Sequence, residues 1–317
     1  MKLRYNRAME ALLSILSIYI FIVMGYIAKK IFKEDINEKT LILLSLYFLQ
    51  PLLTFWGLTR APIDYNLMFS PILYFVIVTI TLVLLIFIAP LFFKDSKDRS
   101  IFVAASLIGN TGNLGIPLGI ALFGEQSVPY TSIVNIANIF FIYTVGIYFY
   151  AKDQYSLRQS INSMIKIPIL WFAILALAYN YLELSINIQM DQILQMGAYA
   201  TIVIQLIIFG IYLANTKLRE NNQSLVFGVS FVKLILLPVV GMVVIILSGM
   251  DSFVASVLML SLLVPLAVNN VNIAALYDCK PYAVTASVLV STVLFLFVFY
   301  FDLMIIEYFL GPISIKG

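Results

Sequence analysis

The chain has 317 residues, of which 62% are hydrophobic and 11% charged, with a net charge of +3; soluble domains carry about 25% charged residues. With a mean hydropathy of +1.02, it reads as an integral membrane protein rather than a soluble enzyme or a nucleic-acid binder. One cysteine, Cys279, excludes an intrachain disulfide, and the absence of histidine removes His-based metal centres, Ser-His-Asp and Cys-His catalysis, and the side chain best suited to proton transfer near neutral pH.

A spanning helix needs about 20 mostly apolar residues. In chain order the sequence predicts ten: 10–29, 40–58, 69–93, 100–123, 128–150, 161–182, 193–216, 224–248, 252–277 and 281–309. The first follows basic residues, with no small-residue cleavage site before the next charges, and reads as a retained span. The least hydrophobic connection, KDQYSLRQSINS at 152–163, divides the chain into 1–151 and 152–317. Five spans on each side of it set the two halves in opposite orientations, as in many secondary transporters. The expected fold class is an all-α polytopic membrane protein, with ten transmembrane helices arranged as two inverted five-helix repeats in one integrated domain. Alternating connections carry 13 Lys and Arg on one side, among them Lys94, Lys97 and Arg99, and 5 on the other. Basic residues concentrate in the cytoplasm. The expectation is a multi-pass cell-membrane protein with both termini on the non-cytoplasmic side.

Two spans are interrupted. Span four contains GNTGNLGIP at 109–117, and span nine contains VPLAVNNVN at 264–272. Each is the fourth span of its half, and Gly/Pro-interrupted segments in corresponding places point to a transporter site. Asn110 stands 11 residues beyond Arg99, roughly 16 Å into a ~30 Å core. Asn270 lies 8 residues before Asp278, roughly 12 Å from the same edge. Broken backbone at that depth must be buried in protein or line a wet cavity. The half-helix after the first break offers free N–H groups to an anion, with Pro117 suited to its first turn. The half-helix before it ends in carbonyls that suit a cation. The residues offered to a ligand are Asn110, Thr111, Gly112, Asn113, Gly115 and Pro117 in the first break, and Pro265, Asn269, Asn270 and Asn272 in the second.

Lys233 is the one Lys or Arg well inside a span. It either snorkels to the interface or faces the cavity as counter-ion to an anionic substrate. No Asp or Glu lies at mid-depth, so no carboxylate proton relay is visible. Gln50 and Pro51 read as a kink. Gln205, Asn135 and Asn138 read as interhelical glue before ligand contacts.

These residues resemble the auxin efflux carrier family. GNTGNLGIPLGIALFG is similar to its fourth-span signature and PLAVNNVNIAALY to its ninth. VKLILLP resembles the basic-residue-then-proline pattern of span eight, and ASVLVSTVL the Ser/Thr stretch of span ten. The resemblance implies a fold like that of the sodium/bile acid symporters, with spans four and nine crossing at mid-membrane. A scaffold of spans one, two, six and seven would move against a transport unit of spans three to five and eight to ten. It implies organic-anion substrates, auxin-like or dicarboxylate, and a site lined by Asn110, Asn113, Pro117, Pro265, Asn269 and Asn270. The long cytoplasmic loop of some plant members is absent, since 152–163 is short. The expected activity is secondary active transport of small organic anions by alternating access, with no cofactor, metal site or nucleic acid. The alternatives are a sodium-coupled symporter of bile-acid type and a non-transporting membrane sensor or channel. Proton or sodium coupling, and a homodimer, stay open.

Overall fold

The computed structural model describes residues 20–59, 63–151, 168–215 and 222–311. The start of span one, the 152–163 connection and part of the charge count lie outside them. Twelve helical segments follow in order among the described residues. They are α1 (20–32), α2 (Thr40–Leu58), α3 (Tyr65–Phe92), α4 (Ser96–Leu107), α5 (Thr111–Phe123), α6 (Glu125–Ala151), α7 (Pro168–Tyr181), α8 (Ile188–Asn215), α9 (Gln223–Ser248), α10 (Ser252–Leu263), α11 (Asn269–Leu276) and α12 (Pro281–Leu310).

Six of these are long and apolar enough to cross a membrane: α2, α3, α6, α8, α9 and α12. Their outward faces carry large apolar side chains such as Phe87, Leu91 and Leu247, suited to lipid. The protein is thus an all-helical integral membrane protein. The segment expected as span four is two helices, α4 and α5, and that expected as span nine is α10 and α11.

Polar N-caps start the helices. The side chain of Asp64 accepts from Leu67 N–H, Asp95 from Asp98 N–H, Asn222 from Leu225 N–H, and Asp251 from Phe253 and Val254 N–H. Each satisfies donors that have no intrahelical acceptor. At one end of the bundle, Lys280 pairs with Asp95 (3.0 Å) and Asp98 (2.6 Å), and Lys97 with Asp278 (3.4 Å). Asn222 donates to Asp98 (3.2 Å). This ties the starts of α4, α9 and α12 together. The Asp98 backbone N–H, and then Lys280, hold the Asp95 carboxyl below the usual carboxylate range.

Four helices widen into a π turn: Ser45–Leu49, Thr111–Gly115, Ile142–Gly146 and Val232–Leu236. Three of them end two residues before a proline, Pro51, Pro117 and Pro238. A proline ring clashes with the carbonyl four residues back and lacks the N–H to bond it. The wider turn relieves that clash, and such bulges gather at functional sites.

Helices α7 and α8 pack on α2, while α3 packs on α6 and α9, and α9 packs on α12. Helices α1 and α8 touch backbone to backbone. A Cβ at Gly25 would overlap Ile207 O, and one at Gly210 would overlap Ile22 O. Small residues of this kind let membrane helices approach closely. Gly210→Ala is expected to destabilise by about 1–3 kcal/mol, the usual cost of overpacking. Gly115→Ala, whose Cβ would meet nothing nearer than 3.7 Å, should leave the melting midpoint unchanged or raised. Thermal melts of the two purified variants check the contrast.

Candidate functional site

The two interrupted helices meet. Between α4 and α5 the chain leaves the helix at Ile108–Asn110, and between α10 and α11 at Val264–Val268. Gly109 and Leu266 form an antiparallel bridge. Asn110 N–H donates to Pro265 C=O (2.8 Å), and Ala267 N–H to Ile108 C=O (3.0 Å). Gly109 therefore sits at the close-approach position of the pair, where strands come nearest. Other exposed backbone groups find side chains. Asn270 Nδ2 donates to Ile108 O (3.1 Å) and Ala267 O (2.9 Å), Asn138 Nδ2 to Gly109 O (2.8 Å), and Leu266 N–H to Ser291 Oγ (3.3 Å).

Two buried polar networks fix this joint. Asn138, on α6, also donates to Thr111 Oγ1 (2.9 Å) and accepts from the Tyr74 hydroxyl (2.9 Å). Thr111 donates to Asn135 Oδ1 (2.8 Å). On the other side, Tyr150 donates to Asn270 Oδ1 (3.0 Å). Gly112 is needed beside Asn135, because a Cβ there would stand 3.0 Å from Asn135 Oδ1.

A cavity of ≈ 80 Å³ opens at the joint. It is lined by Ile42, Ser45 and Gln50 of α2, Gly109–Asn113, Asn135, Asn138, Ile139, Ile142 and Tyr143 of α6, Ile208 of α8, and Ala267–Asn269. That volume exceeds the ~10–15 Å³ needed for one water several-fold. The Asn110 side chain is 3% exposed, and its Nδ2 has no partner. Ser45 Oγ is also buried without one. The N–H groups of Thr111, Gly112 and Asn113 precede the first intrahelical bonds of their turn, which run from Leu114 and Gly115 N–H to Asn110 O. The cavity wall is thus rich in donors and, among the described residues lining it, holds no carboxylate.

The profile of the family described as membrane transport protein matches residues 10–301. The chain belongs to the membrane transport protein family. It is a transporter and not an enzyme, in line with the auxin efflux carrier resemblance of its motifs. It is also similar to an uncharacterized transporter, MJ1031, of Methanocaldococcus jannaschii, at 24% identity over 304 residues, covering 88% of this chain and 93% of that one.

In this family member the structure brings together Asn110, Thr111, Gly112, Asn113 and Asn269 around the cavity. Pro265 and Asn270 stand beside it at the joint, where their polar groups already bond to protein. Gly115 and Pro117 lie just past the cavity in the turn that begins α5. The Asn272 side chain lies outside the described ones. Lys233 is 1% exposed and points inward rather than toward the interface. Its Nζ stands against Gly109, 2.7 Å from where a Cβ would be.

Asn135 and Asn138, read from sequence as glue, are indeed bonded to protein, yet they also line the cavity. Their spacing of three on one helix face was the available signal. Gln205, also read as glue, makes no hydrogen bond with either amide atom. Ser45, Tyr74 and Tyr143 gave no signal in a chain with 19 tyrosines. Asn138→Leu strands Gly109 O and Tyr74 OH, each at about 1–3 kcal/mol, and takes one donor from Thr111 Oγ1, which keeps its bond to Asn135. A markedly lowered melting midpoint is expected for it, and a near-unchanged one for Asn113→Ala, read side by side in thermal melts.

Proposed function

We propose that the chain is a secondary active transporter for small organic anions, carboxylates of the auxin-like or dicarboxylate type. It works by alternating access around the joint of its two broken helices. The observation that carries this is a cavity lined by Asn110, whose buried Nδ2 has no partner, and by Thr111, Gly112 and Asn113, whose N–H groups lead the Thr111–Gly115 turn. An unpartnered buried donor is costly, and a carboxylate oxygen satisfies it. Helix N-terminal amides favour negative charge, and Lys233 behind Gly109 adds positive potential.

The architecture is read as ten spans in two inverted repeats, 1–151 and 152–317, with α4–α5 as span four and α10–α11 as span nine. Two observations support it: the antiparallel pairing of the breaks and their matching places in the two halves. Spans one, two, six and seven (α1, α2, α7 and α8) form the scaffold, supported by the packing of α7 and α8 on α2 and by the backbone contact of α1 with α8. The remaining spans form the moving unit. The cavity wall draws on the first half of α2 and the middle and later part of α6. At the opposite ends of those helices, Glu125 accepts hydrogen bonds from Tyr199 and Gln195 of α8, and Gly57 packs against Val128 and Ser132. We read this arrangement as open toward the face where α2 begins, the cytoplasmic one by the basic-residue count, and closed at the other face by these contacts, a reading that the placement of the lining residues along α2 and α6 supports.

Reconstitution into proteoliposomes tests the reading. With imposed pH, sodium and voltage gradients, at least one carboxylate of a panel containing indole acetate, malate and malonate should accumulate in a protein-dependent way. Asn113→Ala should raise its half-saturating concentration about tenfold or more, the worth of one hydrogen bond to a charged group. No flux and no binding of any panel member would contradict the proposal.

A further inference from the structure

Lys233 has a role in the joint that transport of an anion does not explain. It lies in the π turn Val232–Leu236, and its Nζ donates to Leu262 O at 2.8 Å. Leu262 belongs to the last turn of α10, where carbonyls lack intrahelical donors and carry the negative end of the helix dipole. Its regular donor would be the N–H of Leu266, four residues on, but that N–H is turned to Ser291 Oγ. Pro265 has no N–H to give to Ser261. The break that creates the joint therefore leaves a carbonyl end that calls for a cation or a donor. The ammonium fills it, in the space left by the missing side chain of Gly109. No carboxylate pairs with Lys233 among the described residues; its recorded partner is the Leu262 carbonyl. Carbonyl oxygens at a helix end are the ligands that take the place of water around a bound alkali cation.

We propose that the Lys233 ammonium is a tethered cation, occupying at the carbonyl end of α10 the place that a free monovalent cation would otherwise fill. The joint of the two broken helices is thereby held without sodium. This holds whichever anion the cavity takes, and it is read without transport.

The test is thermal melting of the purified full chain in detergent, in choline, sodium or ammonium chloride at equal ionic strength. The wild-type midpoint should be the same in all three. Lys233→Ala should melt lower in choline and recover by roughly 2–4 °C in sodium or ammonium, as a cation that binds only the folded state stabilises it. Lys233→Met, which refills the volume without charge, should not respond. A Lys233→Ala midpoint identical in the three salts overturns the proposal. So does a wild-type midpoint that rises in sodium over choline, and this arm decides the matter even if Lys233→Ala cannot be purified.

Discussion

A helix that breaks inside a bilayer exposes backbone groups that lipid cannot satisfy, each at a cost of several kcal/mol. Everything at the centre of this protein follows from that constraint. The two breaks meet it by pairing with each other through Asn110 N–H to Pro265 O and Ala267 N–H to Ile108 O. Asn138, Asn270, Ser291 and Lys233 then take the groups that the pair leaves over. A Cβ at Gly109 would stand 2.7 Å from Lys233 Nζ and 3.4 Å from Val264 Cγ2, so glycine leaves room there for the ammonium. A substitution at Asn138, Asn270, Ser291 or Lys233 removes the side chain that bonds one of these backbone groups.

What the joint leaves unsatisfied is as informative as what it satisfies. Around Gly109 nearly every polar group is matched, yet a few residues away Asn110 Nδ2 and Ser45 Oγ are not. The unmatched groups belong to residues that line the cavity. Three of the four π turns contribute to that same wall, through Ser45, through Thr111–Asn113, and through Ile142 and Tyr143. The fourth carries Lys233. Proline placement bears on two of the three turns in that wall, because Pro51 and Pro117 follow them, while Pro238 follows the turn that carries Lys233.

Much of this was legible in the sequence. GNTGNLGIP and VPLAVNNVN announce breaks through residues that end helices, and depth counting places both well inside an apolar stretch. That they would be neighbours needed the matching places in the two halves. The division of labour among the asparagines was not legible. Asn113 and Asn269 stand at the cavity while Asn270, one residue on, is spent on Ile108 O and Ala267 O. Composition does not distinguish them; only the direction each side chain takes from the broken backbone does. For Lys233, the alternatives of snorkelling and facing a substrate both missed the helix-end carbonyl it bonds, because the acceptor is created by a break 29 residues away.

The central claim is that the cavity at the joint takes a small organic anion and is reached alternately from the two faces of the membrane. Cysteine accessibility tests it most directly, and the single native Cys279 makes the background simple to prepare. In a Cys279→Ser background, Ile139→Cys places a thiol on the cavity wall without touching the asparagines. In membrane vesicles of each orientation, a membrane-impermeant thiol reagent should label it from both faces, and a transported carboxylate should slow that labelling. Labelling from one face only, or labelling that no carboxylate alters, would contradict the account.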